Sequence, residues 1–308
     1  QRRGMYYWGR AKGDKMGKGM KSERMWGLGL ILLGTCVAAS SLLGPLVLEV
    51  IRFRVSASAE TQLVGGEIVS LLIVAPMAIA AGLLAIRGHD LAPPLALAPS
   101  LYALYLAFSL VLGVDYARYP GNNERFFPLY WAITVLAASS ALAAWAKLSR
   151  REIPEPGTRL RWTTSGVLIL LGVLLGLTWS KSIWDVLSGS NVSQEYLGDP
   201  NTYWVIRLLD TAFVIPAALA AGMGLLMRRR SAARAVYGLL GFLMCEAGAV
   251  AGMAAAMAIR RDPFASVPFL VITAIGTVAL AVLAACWLLL YATHKRDIAD
   301  AAVIRQAA

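Results

Sequence analysis

The chain has 308 residues, of which 58% are hydrophobic and only 15% are charged, and its mean hydropathy is +0.63. Because soluble globular proteins carry about 25% charged residues, this composition excludes an ordinary water-soluble domain. The net charge of +11 comes mainly from the N-terminal tail and alternate loops, which is the pattern of a membrane protein rather than of a nucleic-acid-binding surface. We therefore expect the lipid bilayer, and no nucleic acid, as a partner.

A basic, glycine-rich segment, residues 1–25, opens the chain, and we predict that it is a cytoplasmic tail. The apolar run behind it exceeds the core of a signal peptide and lacks a small-residue cleavage site, so we expect it to remain as a helix. Eight apolar runs follow one another: 26–51, 63–86, 91–114, 127–147, 163–187, 203–227, 234–259 and 264–291. Each can cross a hydrocarbon core of ~30 Å at ~1.5 Å per residue. The sequence therefore predicts an all-α, polytopic membrane helix bundle of about eight transmembrane helices.

Lysine and arginine are distributed unequally between the two sets of connections. If both ends of the chain lie on one side, 21 of these residues lie on that side and six on the other. Cytoplasmic loops carry the excess of basic residues in membrane proteins. The count therefore predicts that the N- and C-termini are both cytoplasmic.

Short patterns recur in the two halves of the chain at offsets of 138 to 142 residues. They are Leu30–Gly34 with Leu168–Gly172, Pro76 and Ala81-Gly82 with Pro216 and Ala221-Gly222, Pro128 with Pro268, and, approximately, Trp145 with Trp287. Each half has an even number of helices, so both would enter the membrane from the same side. We predict two parallel four-helix repeats, 26–147 and 163–291, with a basic cytoplasmic linker (148–162) between them and a cytoplasmic tail (292–308) after them.

Two further patterns lie inside predicted helices and leave alternatives open. Gly248 and Gly252 form a GxxxG pattern that allows close helix packing, although glycine is also abundant in this chain. Pro76 and Pro216 each remove a backbone hydrogen bond and are expected to kink their helices. Such breaks line the binding site in some transporters and only shape the packing in other bundles.

Several ionisable side chains lie within the predicted helices or at their outer ends. A charge at mid-membrane costs at least ~2.5–3.5 kcal/mol, so such groups usually face the bundle interior and one another. Our candidate ligand-binding residues are Glu67, Lys181, Asp185, Arg207, Asp210 and Glu246, with Glu49 as a further charge at a helix end.

The candidates differ in what their spacing predicts. Lys181 and Asp185 share a helix face, as do Arg207 and Asp210, and interfacial ion pairs are the alternative for Lys181, Asp185 and Glu49. We predict that Asp210 is buried against Arg207 or Glu67. Glu246 would be either a proton- or cation-binding carboxylate or a neutral carboxyl in a dry bundle.

The sequence favours neither a cofactor nor an enzyme. Cys36, Cys245 and Cys286 lie in apolar runs without CxxC spacing, and the two histidines, His89 and His294, lie outside the mid-membrane region. We therefore predict no metal, haem or other cofactor. No HExxH, GxSxG or Walker motif is present, so enzyme activity has no positive support.

Three segments give the chain a resemblance to an uncharacterised bacterial family of eight-helix integral membrane proteins. They are Gly66-Glu67 through Pro76, Asn123 ahead of Phe127 and Leu129-Tyr130, and Leu209-Asp210 through Phe213-Val214 to Pro216. The resemblance implies that Glu67 and Asp210 occupy acidic positions of the family. We expect the protein to lie in the inner (cytoplasmic) membrane. It implies no activity. The chain departs from the family with Arg207 in place of an expected histidine and with Lys181 near an expected acid.

These observations leave three functional hypotheses. The first is a transporter-like or ligand-binding bundle with an outward-facing polar cavity for a small polar or lipidic ligand, lined by Glu67, Arg207 and Asp210. The second is a non-catalytic accessory subunit, whose charges meet a partner in a larger membrane complex. The third is a membrane enzyme that acts on a lipid-linked substrate.

Overall fold

The protein folds as an all-helical bundle in a computed structural model that describes the backbone of residues 2–307 and the side chains of residues 21–296. The membrane-spanning helices are α1 (Arg2–Leu43), α2 (Ala57–Ile86), α3 (Ala92–Leu112), α4 (Phe127–Ser149), α5 (Thr158–Ser188), α6 (Pro200–Leu226), α7 (Arg230–Ile259) and α8 (Val267–Ala307). Each contains a segment long and apolar enough to cross a membrane. The prediction of an eight-helix membrane bundle is confirmed, and the chain is an integral membrane protein.

The connections define the two ends of the bundle. We call the end that carries residues 87–91, 150–157 and 227–229 the basic end. We call the opposite end, with residues 44–56, 113–122, 189–199 and 260–266, the loop end. A single helical turn of 3₁₀ type, Asn123–Phe126, and a short helix, Gln194–Gly198, also lie at the loop end.

The connection between the first two helices differs from its prediction. We predicted that the first helix continues to residue 51, but α1 ends at Leu43. Pro45 disfavours helical geometry at Gly44 and cannot donate a backbone hydrogen bond. Consequently Glu49 lies in a loop, with a positive φ of 51°. The next helix begins earlier than predicted, because the Ser56 side chain caps it by accepting a hydrogen bond from Ala59 N.

A π-helical segment interrupts both α2 and α6. The segments are Ser70–Val74 and Asp210–Val214, and in each the backbone N–H of the following residue donates to the carbonyl five residues earlier. Pro76 and Pro216 lie two residues beyond these segments. Proline removes one helical hydrogen bond and crowds the preceding turn, and the wider π turn relieves the crowding. The predicted breaks are therefore π segments, a feature that is frequent at functional sites.

The packing of α1 on α2 recurs between α5 and α6. A Cβ on Gly82 would meet Gly27 O at 2.6 Å and the Ile31 side chain at 2.8 Å, while one on Gly222 would meet the Ile169 side chain at 2.7 Å and Ser165 O at 3.1 Å. The contacted residues are related by an offset of 138, and the glycines by an offset of 140. Similar close packing in the two halves is what a structural repeat would produce.

The centre of the bundle is formed by α2, α3 and α7. Helix α7 packs against α2, α3, α6 and α8. Its backbone approaches that of α2 most closely where Gly252 meets Gly65. A Cβ on Gly252 would lie only 2.5 Å from Gly65 O, whereas one on Gly248 would have its nearest neighbour, in Thr277, at 3.5 Å. The GxxxG pattern thus works through Gly252, and this contact brings the middle of α7 beside the π segment of α2.

The two halves differ in how their outer helices meet. In the first half α1 and α4 pack against each other, and α4 buries Tyr130, Ile133 and Ala137 in its loop-end half. In the second half Trp287 Nε1 of α8 donates to Thr164 of α5 at 3.0 Å, near the basic end. Residues 173–188 of α5 and 267–279 of α8 contain no buried residue. These two helix segments therefore present an uncovered apolar surface.

Candidate functional site

The clearest polar cluster in the bundle is centred on Asp210, the first residue of the π segment in α6. Its Oδ1 accepts a hydrogen bond from Tyr105 of α3 at 3.0 Å, and its Oδ2 accepts one from Trp179 Nε1 of α5 at 2.7 Å. Both carboxyl oxygens therefore have a donor. Asp210 links three helices across the second half of the bundle, which agrees with the prediction that it faces protein rather than lipid.

The π segment of α2 makes a matching contact. Ser70, its first residue, lies 140 positions before Asp210. The Ser70 hydroxyl donates to Gly66 O at 3.0 Å and lies 3.2 Å from the Tyr102 hydroxyl, which is buried. Thus α3 places Tyr102 and Tyr105 one helical turn apart, with one tyrosine at the start of each π segment.

Glu246 of α7 completes this cluster. It is close enough to Asp210, Tyr102 and Tyr105 to interact with them electrostatically. Its Oε1 has no accessible surface and no hydrogen-bond partner among the side chains of residues 21–296. An unpaired polar atom in a bundle interior is unfavourable, so this carboxyl is the group in the cluster that most needs a proton or a ligand.

Arg207 lies one helical turn from Asp210 but does not pair with it. Its guanidinium forms a bidentate ion pair with Glu195, with distances of 2.7 Å (Nη1–Oε1) and 2.8 Å (Nη2–Oε2). It also stacks over Tyr203 at 3.8 Å and Trp179 at 4.2 Å from the ring centres. The prediction of an Asp210–Arg207 or Asp210–Glu67 ion pair is therefore wrong. The partner of Arg207, Glu195, lies in the connection 189–199, and the sequence pattern did not predict how this connection folds.

Glu67 belongs to a different contact. Its Oε2 accepts a hydrogen bond from the backbone N–H of Leu46 at 2.9 Å, and its carboxyl packs against Gly44, where a Cβ would lie 1.9 Å from Oε1. No hydrogen bond or ion pair in the described part of the chain joins Glu67 to Arg207 or Asp210. Glu67 therefore fixes the chain as it leaves α1, and it is not part of the Asp210 cluster.

Lys181 and Asp185 form the ion pair that their spacing predicts, at 2.5 Å. The Lys181 side chain is 72% exposed and the Asp185 side chain only 18%, so the lysine lies on the outer surface of α5. The pair is separate from the hydrogen bonds around Asp210.

The loop end of the bundle is tied together by polar contacts between the two halves. Asp199 accepts hydrogen bonds from the backbone N–H of Ser56 at 2.8 Å and from its hydroxyl at 2.5 Å. Tyr119 donates to Gly198 O at 2.7 Å, and Arg118 donates to Leu197 O at 2.8 Å. These bonds hold three connections together on the side where we expected an open cavity.

Sequence reasoning found the acids of the cluster but missed its uncharged members. Tyr102, Tyr105, Ser70 and Trp179 carry no charge and lie in apolar runs, so nothing in composition separates them from packing or membrane-boundary residues. The spacing of Tyr102 and Tyr105, which places both on one face of an apolar helix, was the available signal. No group of three or more His, Cys, Asp or Glu side chains within residues 21–296 is arranged to hold a metal ion.

The chain matches no family model, and no curated protein and no solved structure proved similar to it. Membership of the bacterial family that its motifs resemble therefore stays a prediction.

Proposed function

We propose that this integral membrane protein is a transport-type, ligand-binding bundle whose working site is the carboxyl pair Asp210 and Glu246. The observation that carries this proposal is the unpartnered Glu246 Oε1 beside Asp210 in the bundle interior. The ligand class that fits is a proton, or a small polar ligand that carries a positive charge.

The charge balance of the site supports a cationic occupant. Arg207 lies one helical turn from Asp210, and Glu195 already neutralises it through two hydrogen bonds. Two ionised carboxylates would then remain in a low-dielectric interior, where an uncompensated ion costs several kcal/mol. A proton on one of them, or a cation bound near them, removes that cost.

The two π segments provide the movable elements of the proposed site. Each begins at a residue that bonds to a tyrosine of α3, and each is followed by proline, which leaves one backbone carbonyl without its usual donor. A π turn can convert to an α turn by moving one residue along the helix, and this would shift Asp210 relative to Tyr105 and Trp179.

The proposed architecture is that of two parallel four-helix repeats, with the basic end in the cytoplasm of a bacterial cell and the protein in its inner membrane. Support comes from the matched π segments, the matched glycine contacts and the excess of lysine and arginine at one end. In this arrangement the carboxyl pair belongs to the second repeat, and Ser70 takes the place of Asp210 in the first.

Infrared difference spectroscopy of the purified full chain tests the site without a known ligand. A carbonyl band of a protonated carboxylic acid should appear on acidification and shift in D₂O, and Glu246→Gln should remove most of it. Asp185→Asn, at an acid that is paired with Lys181 and lies outside the Asp210 cluster, is the matched control and should leave the band unchanged. A band that survives both Glu246→Gln and Asp210→Asn would refute the proposal.

A second candidate function, an accessory subunit of a larger membrane complex, is favoured by the uncovered halves of α5 and α8. The equivalent helices of the first half, α1 and α4, cover each other, so a partner helix would fit where this contact is missing. Copurification in mild detergent tests this function. A stoichiometric partner that is lost on Leu177→Arg or Ile272→Arg would support it, and a chain that purifies alone would refute it.

A further inference from the structure

A cavity of about 620 Å³ opens at the basic end of the bundle, at the opposite end from the tied loops. Its wall is formed by the end of α4, the linker behind it, the start of α7 and the last turns of the membrane-spanning part of α8. The polar groups that line it include Arg150, Arg151, Arg230, Arg234, Thr293 and His294. The volume lies within the range of about 300–1,000 Å³ that is typical of small-molecule sites.

Only one of the four arginines that line this cavity has an acidic partner among the described side chains. Arg151 is held by Asp90, with an ion pair of 2.6 Å and a hydrogen bond to the Asp90 carbonyl at 2.8 Å. Arg150, Arg230 and Arg234 have no acidic partner within the described side chains. Arg234 Nε is buried without a hydrogen bond, and its Nη2 only reaches Arg151 O at 3.5 Å.

Two acids also line the cavity, and they do not cancel its charge. Glu152 and Glu155 are part of the wall, yet neither forms an ion pair with the arginines in the portion of the chain whose side chains are described. Because Asp90 already neutralises Arg151, three guanidinium groups against two carboxylates leave an excess of one positive charge. A second, smaller cavity on the other side of residues 153–155 adds Arg161, Arg228 and Arg229 to the same basic surface.

We infer that this cavity binds a phosphate-bearing anion, supplied either by the headgroup of an anionic phospholipid or by a free phosphate compound. Guanidinium groups bind phosphate oxygens through two parallel hydrogen bonds, and Arg150 and Arg230 line the cavity without an acidic partner among the described side chains. Leu290 and Ile153 provide an apolar part of the wall, and basic pockets between helices at a membrane boundary suit lipid headgroups. This inference does not depend on the proposed function at Asp210 and Glu246.

Binding to the purified full chain in detergent tests the inference with defined probes. The probes are short-chain phosphatidylglycerol, short-chain phosphatidylcholine and pyrophosphate, and the readouts are native mass spectrometry and the ligand-induced rise in melting temperature. Arg230→Gln with Arg234→Gln should weaken binding of the anionic probe at least about tenfold, because each 1.4 kcal/mol of lost interaction is a factor of ten. Arg150→Glu should also weaken binding of the anionic probe. Because Arg150 is exposed, this variant tests the inference even if the double variant misfolds.

The matched control is Arg87→Gln with Arg159→Gln, which removes two basic residues from the same end but outside both cavities. It should bind the probes as the parent does. Binding of phosphatidylglycerol but not of pyrophosphate would identify a lipid headgroup as the source, and displacement of the lipid by pyrophosphate would identify a soluble phosphate compound. The inference is overturned if neither anionic probe binds, or if the control variant loses as much affinity as the cavity variants.

Discussion

The charge of Arg207 is balanced by Glu195, twelve residues earlier in the chain, and not by Asp210 on the next turn of the same helix. The Arg207 side chain is only 3% exposed, whereas Glu195 is 47% exposed. The loop that carries Glu195 therefore folds over the guanidinium and shields it. This pairing leaves Asp210 free to bond to Tyr105 and Trp179.

Because Arg207 is buried, we expect Glu195→Gln to lower the free energy of unfolding by about 1–3 kcal/mol, since the cation loses its counter-ion but keeps its stacking partners. Arg207→Gln added to this variant should restore part of the loss. Asp185→Asn is the control and should cost about 0–1 kcal/mol, because the Lys181 side chain that it leaves unpaired is 72% exposed. Thermal unfolding in detergent measures all three, and equal losses for Glu195→Gln and Asp185→Asn would contradict the prediction.

The partners of Asp210 predict how two replacements at this position differ. Trp179 Nε1 can only donate, whereas the Tyr105 hydroxyl can donate or accept. Asparagine can accept from Trp179 and donate to Tyr105, as a protonated carboxyl would, so Asp210→Asn should stay close to the parent in stability. Asp210→Leu removes the acceptor and leaves the indole N–H unsatisfied, at a cost of about 1–3 kcal/mol.

Melting temperatures of the two Asp210 variants in detergent check this prediction, with Trp179→Phe as the matched change on the donor side. If Asp210→Asn is as unstable as Asp210→Leu, the carboxyl is ionised and held by its charge. The proposed proton would then have to reside on Glu246.

Sequence predicts the features of this structure that follow from repeating patterns along the chain, and it does not predict contacts that depend on the path of a loop. The eight helices and the inward position of Asp210 follow from the length of the apolar runs and the cost of a charge in lipid. The Glu195–Arg207 pair does not follow, because the path of an aperiodic loop decides which acid reaches the guanidinium. Proline predicted a break in α2 and α6, but the type of break depends on backbone hydrogen bonds that sequence does not display.

The approximate match of Trp145 with Trp287 shows a related difficulty. Trp145 is 40% exposed, while Trp287 is fully buried. At the offset of 140, the counterpart of Trp287 is Lys147, whose ammonium lies 5.0 Å from the centre of the Trp26 ring. Near the basic end, α4 contacts α1 through Lys147 and Trp26, and α8 contacts α5 through Trp287 and Thr164. Such a contact can be retained while the residue types change, so identity of side chains is a poor guide to register.

The close approach of α2 and α7 predicts a difference between two glycines of the same helix. Gly252→Ala would place a methyl group 2.5 Å from Gly65 O, a backbone atom that cannot move alone, so the helices must separate. We expect a loss of about 1–3 kcal/mol, as for other overpacked sites. Gly248→Ala, one turn away, has its nearest neighbour at 3.5 Å and should be neutral or slightly stabilising. Thermal unfolding of both variants in detergent measures the difference, which should vanish if α2 and α7 are separated in the membrane.

The last prediction concerns the orientation of the bundle in the membrane. The count of 21 against six basic residues favours an orientation with the basic end in the cytoplasm. Ser190 and Ser231 are exposed and lie at the loop end and the basic end, respectively. In a chain whose three cysteines, Cys36, Cys245 and Cys286, are replaced by alanine, Ser190→Cys should react with an impermeant maleimide added to intact cells. Ser231→Cys should react only after the membrane is permeabilised, because the reagent cannot cross the bilayer. Labelling of both sites after permeabilisation controls for their accessibility. The reverse pattern in intact cells would place the basic end outside, and the arginine-lined cavity would then face the outer leaflet rather than the anionic lipids and phosphate compounds of the cytoplasmic side.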